Sequence, residues 1–439
     1  MPHGGNEPGA CRARLLLSPP EAEVGSVQLR FSTAGESHGK GLVALVEGLP
    51  AGLPVSAAWV DRDLYRRMQG YGRGARMKIE QDHIEWLAGV RAGETLGSPV
   101  AMLIPNRDWA NWADVMAHEA EVPGEIRRRR VTRPRPGHAD LVGVLKYDRV
   151  DARDILERAS ARETTARVAA GALARRLLDE FGVEIGSHVV SLGGVAAAPP
   201  ATLPVPLNEA ADRSEIRVLD AGVEAEIIRR IDAAKQSGDT LGGEVEVVAR
   251  GLVVGLGSHV SWDRKLDGRL AGTLMSIPAV KAVEIGLGVE AARRPGSAVH
   301  DPIDPARSGS TPPPPPHAGD TRGGFRRRSN NAGGLEGGIT TGEPLVLRVA
   351  MKPISTLMSP LPTVDLTSGQ PAHAQSERSD VTAVPAMGVI AEAMVALVLA
   401  DAMLEKFGGD SLGEMRRNYD GYLSGLGSRW TALRDAVEG

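Results

Sequence analysis

The residues best suited to chemistry stand in Thr132–Tyr147, TRPRPGHADLVGVLKY. Arg133 and Arg135 follow closely on Arg127–Arg130, so guanidinium charge is concentrated there. Pro134, Pro136 and Gly137 stiffen and then turn the backbone. His138 and Asp140 come next, on what is expected to be a rigid loop. Fixed guanidinium forks beside a positioned imidazole suit a small anionic substrate that must exchange a proton. Basic runs are usually solvated loops, although solvated charges need no Pro/Gly support. By itself the stretch reads equally as a site or as a surface loop.

Gly35-Glu36-Ser37-His38-Gly39 matches G-x-S-x-G, the nucleophile elbow of α/β-hydrolases. A serine hydrolase is therefore the main rival reading. The context is poor for it, because the motif follows a single expected strand and no oxyanion loop. Nor is it a P-loop, since three residues separate the glycines and Gly41 follows Lys40. What remains is a glycine-flanked Ser-His pair on a tight turn, able to present an acid or base or simply a solvated histidine.

Arg158–Thr165 opens an expected helix with Arg158, Ser160 and Arg162. Exposed amides and a positive helix end suit phosphate there, whereas plain capping by Ser160 would not need the arginines. Asn330–Gly334 with Gly337 and Gly338 is a glycine-dense loop, either a ligand approach or a flexible hairpin. Lys352–Thr356 and Arg378–Asp380 each place a cation beside a hydroxyl, and Asp380 is either a base or a helix-end charge. No G-x-G-x-x-G follows a strand and no H-E-x-x-H occurs, so neither a Rossmann site nor a metal centre is supported.

The elements that must position these groups are a mixture of strands and helices. Strands are expected at Val27–Ser32, His83–Val90, Pro99–Ile104, Val183–Ser191, Glu244–Val254 and Leu345–Met351, and Leu42–Leu49 is a further apolar run. Helices are expected at Asp61–Met68, capped by Asp61 and delivering Arg66, Arg67 and then Arg73, and at Ser160–Phe181, Val223–Lys235 and Pro385–Lys406. Arg107–Asn111 reads as a loop. Arg158–Arg162 and Arg378–Asp380 each precede a long Ala-rich helix ending in Phe-Gly, a weak sign of duplication that coincidence explains equally well.

With 439 residues, 42% hydrophobic and 24% charged, the chain reads as soluble and globular. Its net charge of −4 argues against bulk nucleic-acid binding, and 3% aromatic content disfavours base stacking. Cys11 is the only cysteine, which leaves no disulfide framework and fits a reducing cytoplasm. No apolar run is judged to reach transmembrane length. Met1–Ser26 is expected to be a disordered, dispensable extension, with translation starting near Val27. Asp301–Arg328, which holds Pro312–Pro316, is expected to be a mobile or polyproline-II insertion in a single domain over 27–413, followed by a tail over 414–439.

Gly35–Gly39, Tyr71–Met77, Arg133–Tyr147, Glu157–Ala170, Asn331–Gly338, Lys352–Thr356 and Arg378–Ala393 together resemble the chorismate synthase family, in order across Leu29–Leu412. The resemblance implies an α+β fold, a β-α-β sandwich with internal pseudo-twofold symmetry, assembled as a homotetramer. It implies anti-1,4-elimination of phosphate from 5-enolpyruvylshikimate 3-phosphate to give chorismate, with reduced FMN required although no net redox change occurs. His138 would protonate the leaving phosphate and His38 the reduced flavin. Asp380 would assist proton removal from C6 through the flavin, with Ser37 and Ser160 in support. Arg158, Ala159, Ser160, Ala279, Gly337, Lys352, Pro353, Ile354, Ser355, Thr356 and Arg378 would hold FMN. Arg67 and Arg73 match arginines assigned to NADPH, the candidate reductant, and suit substrate equally. Arg135 and Arg162 would bind substrate. An outside flavin reductase is favoured over intrinsic reduction. Pro278, the longer Asp301–Arg328 loop and the leader before Val27 depart from the family pattern. The hydrolase reading predicts phosphonate labelling of Ser37, and a nucleic-acid reading predicts salt-sensitive binding of random DNA through Arg127–Arg130.

Overall fold

The computed structural model describes residues 29–74, 81–119, 129–305, 323–376 and 379–438, with side chains as far as Leu426. The leader over 1–26, Arg127, Arg128, Pro312–Pro316 and Arg378 lie outside the described residues.

Two antiparallel sheets enclose a layer of helices. β1 (Arg30–Ala34) and β2 (Gly41–Glu47) form a hairpin whose turn is the Gly35–Gly39 motif. α1 (Ala57–Met68) follows, then β3 (Glu85–Ala88) and β4 (Val100–Pro105), and the first sheet runs β1-β2-β4-β3. α2 (Asp140–Lys146) and α3 (Arg153–Leu156) lead to α4 (Thr164–Asp179). β5 (Glu184–Leu192), β6 (Val195–Ala196), α5 (Ala221–Ser237), β7 (Gly243–Arg250), α6 (Leu266–Met275), β8 (Val280–Ile285) and β9 (Leu345–Met351) complete the second half. The second sheet runs β8-β9-β7-β5-β6. α7 (Val384–Phe407) and α8 (Leu412–Glu438) end the chain.

Period-two burial explains the sheets. On β2, Leu42, Ala44 and Val46 are fully buried while their neighbours are only half-buried, and Val100, Met102 and Ile104 do the same on β4. α4 packs on β1 and β2, α7 packs on β5 and β7, and the two helices pack on each other between the sheets. That is the expected α+β sandwich, and the two Ala-rich helices occupy corresponding places in its halves. Gly171 makes the close crossing possible, since a Cβ there would meet Ala393 Cβ at 2.4 Å.

Several expectations shift. α1 begins at Ala57, because Ser56 caps it by accepting from Trp59 N; Asp61 lies inside the helix and accepts from Ile84 N instead. α4 begins at Thr164, because Ser160 caps a separate 3₁₀ turn over Ala161–Glu163. Asp140 is helical rather than on a loop, and Arg107–Asn111 is a 3₁₀ turn. The Asp301–Arg328 segment has an ordered stem, Ile303–Pro305 paired with Phe325–Arg327. Residues 412–438 form a helix, with Met415 and Tyr419 buried against the core. Contrary to the reading of hydropathy, α7 is long and apolar enough to cross a membrane by length and composition, but 94% of its apolar window is buried within the protein.

Candidate active site

The turn between β1 and β2 presents Ser37 and His38. Asn106, just past β4, ties the turn down by donating through Nδ2 to the carbonyls of Glu36, Ser37 and Gly39. His38 Nδ1 lies 3.0 Å from each carboxylate oxygen of Glu157, and its ring stacks on Trp112 at 3.8 Å. Ser160 Oγ donates to Ser37 Oγ at 3.1 Å. Burial alone would raise the Glu157 carboxyl, but hydrogen bonds from His38 and Arg153 outweigh it and hold the group below its ordinary value.

Three arginines meet behind this turn. Arg162 donates to Asn106 Oδ1 at 2.8 and 3.0 Å and to Asp82 at 2.5 Å. Arg67 donates to Thr164 Oγ1 and the Ala161 carbonyl, while its buried Nη1 has no hydrogen-bond partner among the described residues, with Asp82 3.8 Å away. Arg73 pairs with Asp380 at 3.3 Å, and Gly74 N donates to the same carboxylate at 2.6 Å. Burial, offset in part by Asp82, together with the charges of Arg73 and Arg162 pushes the Arg67 guanidinium down to about 9. Arginine still carries its charge at neutral pH, so this field is an excess of positive potential that an anion would relieve.

A second group surrounds His138. Gly137, at φ +77°, lets the chain reverse after Pro136. His138 Nδ1 lies 2.5 Å from Asp140 Oδ1, and Arg135 Nη2 lies 3.1 Å from His138 Nδ1. Asp140, fully buried, also accepts from Arg135 N and Nε. Burial would raise its carboxyl, but bonds from His138 and Arg135 prevail and hold it well below the usual carboxylate range. Arg135 Nη1 donates to Thr356 Oγ1 at 2.8 Å, and Lys352 Nζ donates to the Gly137 carbonyl at 3.0 Å. Thr240 Oγ1 bonds the Ile354 carbonyl and Leu241 N bonds the Val381 carbonyl, which joins this group to the Asp380 loop.

The family model for chorismate synthase matches residues 29–404. The chain belongs to the chorismate synthase family. It is 58% identical over 401 residues to the chorismate synthase of Trichlorobacter lovleyi, covering 91% of this chain and 99% of that one. The chorismate synthase of Geobacter sulfurreducens is 56% identical over 397 residues, covering 90% and 98%. A crystal structure of chorismate synthase superposes with a TM-score of 0.71 at 42% identity, covering 91% of this chain and 99% of that chain.

Most of the described residues matched to the chorismate synthase pattern fall in or beside the groups just described. Arg158 donates to the carbonyls of Thr33 and Gly35 beside the Ser37 turn. Ala279, at φ +70°, accepts from Lys352 N, and Arg167 bridges the start of α4 to Ser276 just before it. Gly337 is the exception. Its hairpin, Leu335–Thr340, is tied to Gly257 and Leu266 near the Leu345 end of β9, whereas Lys352 follows the Met351 end. A strand of that length separates them by about 20 Å.

The hydrolase reading fails on topology. The Ser37 turn joins two antiparallel strands instead of a strand and a helix, and the imidazole beside it is engaged by Glu157. Of the described basic run, Arg129 lies over Trp112 and Arg130 donates to the Val150 carbonyl. Glu157, Asn106, Asp82 and Trp112 are the positions that motif reading did not single out. Only Glu157 carried a local signal, its i,i+4 spacing from Arg153.

Proposed function

We propose that this chain catalyses anti-1,4-elimination of phosphate from 5-enolpyruvylshikimate 3-phosphate, giving chorismate, with reduced FMN as cofactor. The observation that carries the reading is the pairing of two carboxylate-bonded imidazoles, His38–Glu157 and His138–Asp140, with the arginine cluster of Arg67, Arg73 and Arg162. A substrate bearing two carboxylates and a phosphate matches that charge, which is otherwise unexpected in an acidic protein.

The residues suit the phosphate end of a mononucleotide. Lys352 has no carboxylate partner among the described residues, and partial burial followed by repulsion from Lys281 lowers its pKa. Two such cations favour an anion between them. Arg158, Ala159, Ser160, Ala279 and Lys352–Thr356 would hold FMN, and Gly337 would belong to a different contact. Reduced FMN, when bound, supplies transient electron density that eases loss of phosphate and of the C6 proton without net redox change.

His138 holds a proton for the departing phosphate oxygen, with Asp140 fixing the ring through Nδ1. His38 holds a second proton, and Ser37 and Ser160 order the turn around it. Arg135 and Arg162 orient the anionic substrate. Arg67 and Arg73 serve the substrate phosphate or carboxylates, or an NADPH reductant. Asp380 keeps Arg73 in place. The reading also takes a cytoplasmic homotetramer supplied by an outside flavin reductase. Purified protein, the shikimate ester and photoreduced FMN without oxygen should yield equal amounts of chorismate and phosphate. Equal yield with oxidised FMN and no reductant would overturn the cofactor assignment, and no chorismate would overturn the reaction.

A further inference from the structure

One residue grips the Ser37–His38 pair from several directions. The backbone carbonyl of Glu157 accepts from Ser37 N at 2.9 Å, and its Oε2 accepts from His38 N at 2.9 Å. Both carboxylate oxygens also lie 3.0 Å from His38 Nδ1. Arg153 Nη1 donates to Oε1 at 2.8 Å, so the buried carboxylate is held in register by an arginine one helical turn earlier. Trp112 closes the imidazole's face at an interplanar angle of 27°. A carboxylate that only braced the turn would need the bond from His38 N and nothing at Nδ1.

On the reading of this site as chorismate-forming, we infer that Glu157 is a positioning residue: it fixes the Nδ1–H form of His38 and places proton exchange at Nε2. The charged groups around the ring are Glu157 and Arg153 from α3 and its end, Arg129 across Trp112, and Glu36 and Arg158 beside the turn. Glu157 bonds the imidazole at Nδ1. An anion at hydrogen-bond distance favours the protonated ring. Glu157 stays anionic because the bonds from His38 and Arg153 outweigh its burial. Removing the negative charge should therefore let His38 lose its proton at lower pH.

The test is a ¹⁵N-histidine NMR titration of the full chain, with the His38 signal assigned by its loss in H38N. The midpoint should fall by about one pH unit or more in Glu157→Gln, the scale of one adjacent opposite charge. Glu157→Asp, which keeps the charge on a shorter arm, should fall by less. The high-pH limb of the turnover profile should move down with the NMR midpoint. An unchanged midpoint in Glu157→Gln, with turnover reduced equally at every pH, would leave Glu157 a purely structural role and overturn the inference. Should Glu157→Gln not fold, the Asp variant decides, a lowered midpoint supporting the inference and an unchanged one overturning it. The titration needs no turnover, so absence of chorismate from the unaltered protein would count against the proposed reaction and leave this result standing.

Discussion

His138 Nδ1 and Asp140 Oδ1 lie 2.5 Å apart at the start of α2, with the aspartate wholly buried. The same carboxylate takes three further bonds from Arg135, one from its backbone N and two from its guanidinium, so imidazole and guanidinium share one anchor. Asp140→Asn keeps the shape and removes the charge. Turnover should fall about 100-fold or more, the scale of a disabled general acid, and His138→Ala and His38→Ala should each do the same. Steady-state rates check this. Unaltered turnover in any variant would remove that residue from the chemistry.

Gly171 faces Ala393 where α4 crosses α7. A Cβ at Gly171 would lie 2.6 Å from Ala393 Cα and 2.7 Å from its carbonyl oxygen, and backbone cannot rotate away. Overpacking typically costs ~1–3 kcal/mol, against a helix-propensity gain of ~1 kcal/mol for alanine. Gly171→Ala should therefore lower the melting temperature, and a variant that melts at or above the parent would show that the helices can move apart.

Glu392, in the middle of α7, accepts from Arg66, Arg175, Arg217, Ser187 and Asn208 without exposure to solvent. Burial opposes its charge, but the three arginines prevail and hold it well below its ordinary value. Its contribution is thus complete above the unfolded carboxyl value of about 4.3 and is lost as pH falls towards the folded one. Glu392→Ala should cost about 3–5 kcal/mol at neutral pH by stranding the arginines. The difference from the parent should shrink below about pH 4. Denaturant melts at pH 7 and pH 3.5 test both parts, and a pH-independent difference would contradict them.

Lys352→Ala should weaken FMN binding roughly ten- to hundredfold, since a charge-assisted hydrogen bond contributes about 1.5–3 kcal/mol. Quenching of flavin fluorescence on titration provides the measurement. Equal affinity in the variant would place the flavin phosphate elsewhere.

Local patterns carried much of this structure into the sequence. Alternation on β9 gave Leu345–Met351 with both ends correct, and Pro385 with Gly408 bracketed α7. The chemistry-bearing side chains are visible because Pro, Gly, His and Arg fall close together in Thr132–Tyr147, and Lys, Pro, Ser and Thr in Lys352–Thr356. Their partners were not visible. Glu157 meets His38 across 119 positions, and Asp82 meets Arg162 across 80, pairings that no local spacing encodes. The start of α4 was misplaced because Ser160 is a strong cap, and it caps the 3₁₀ turn that precedes the helix. The sequence reads α8 as a tail because, among its described side chains, only Met415 and Tyr419 are buried. α7 was not recognised as membrane-length because Glu392, Asp401, Glu405 and Lys406 interrupt its apolar run, the first of them neutralised only in three dimensions.

The most direct measurement is the number of chorismate molecules formed per flavin in a sealed anaerobic cuvette. Purified protein, excess 5-enolpyruvylshikimate 3-phosphate and a trace of photoreduced FMN are mixed, and chorismate, phosphate and flavin absorbance are followed together. The account predicts many turnovers per flavin, equal chorismate and phosphate, and flavin still reduced at the end. One chorismate per flavin oxidised, or phosphate released without chorismate, would contradict it.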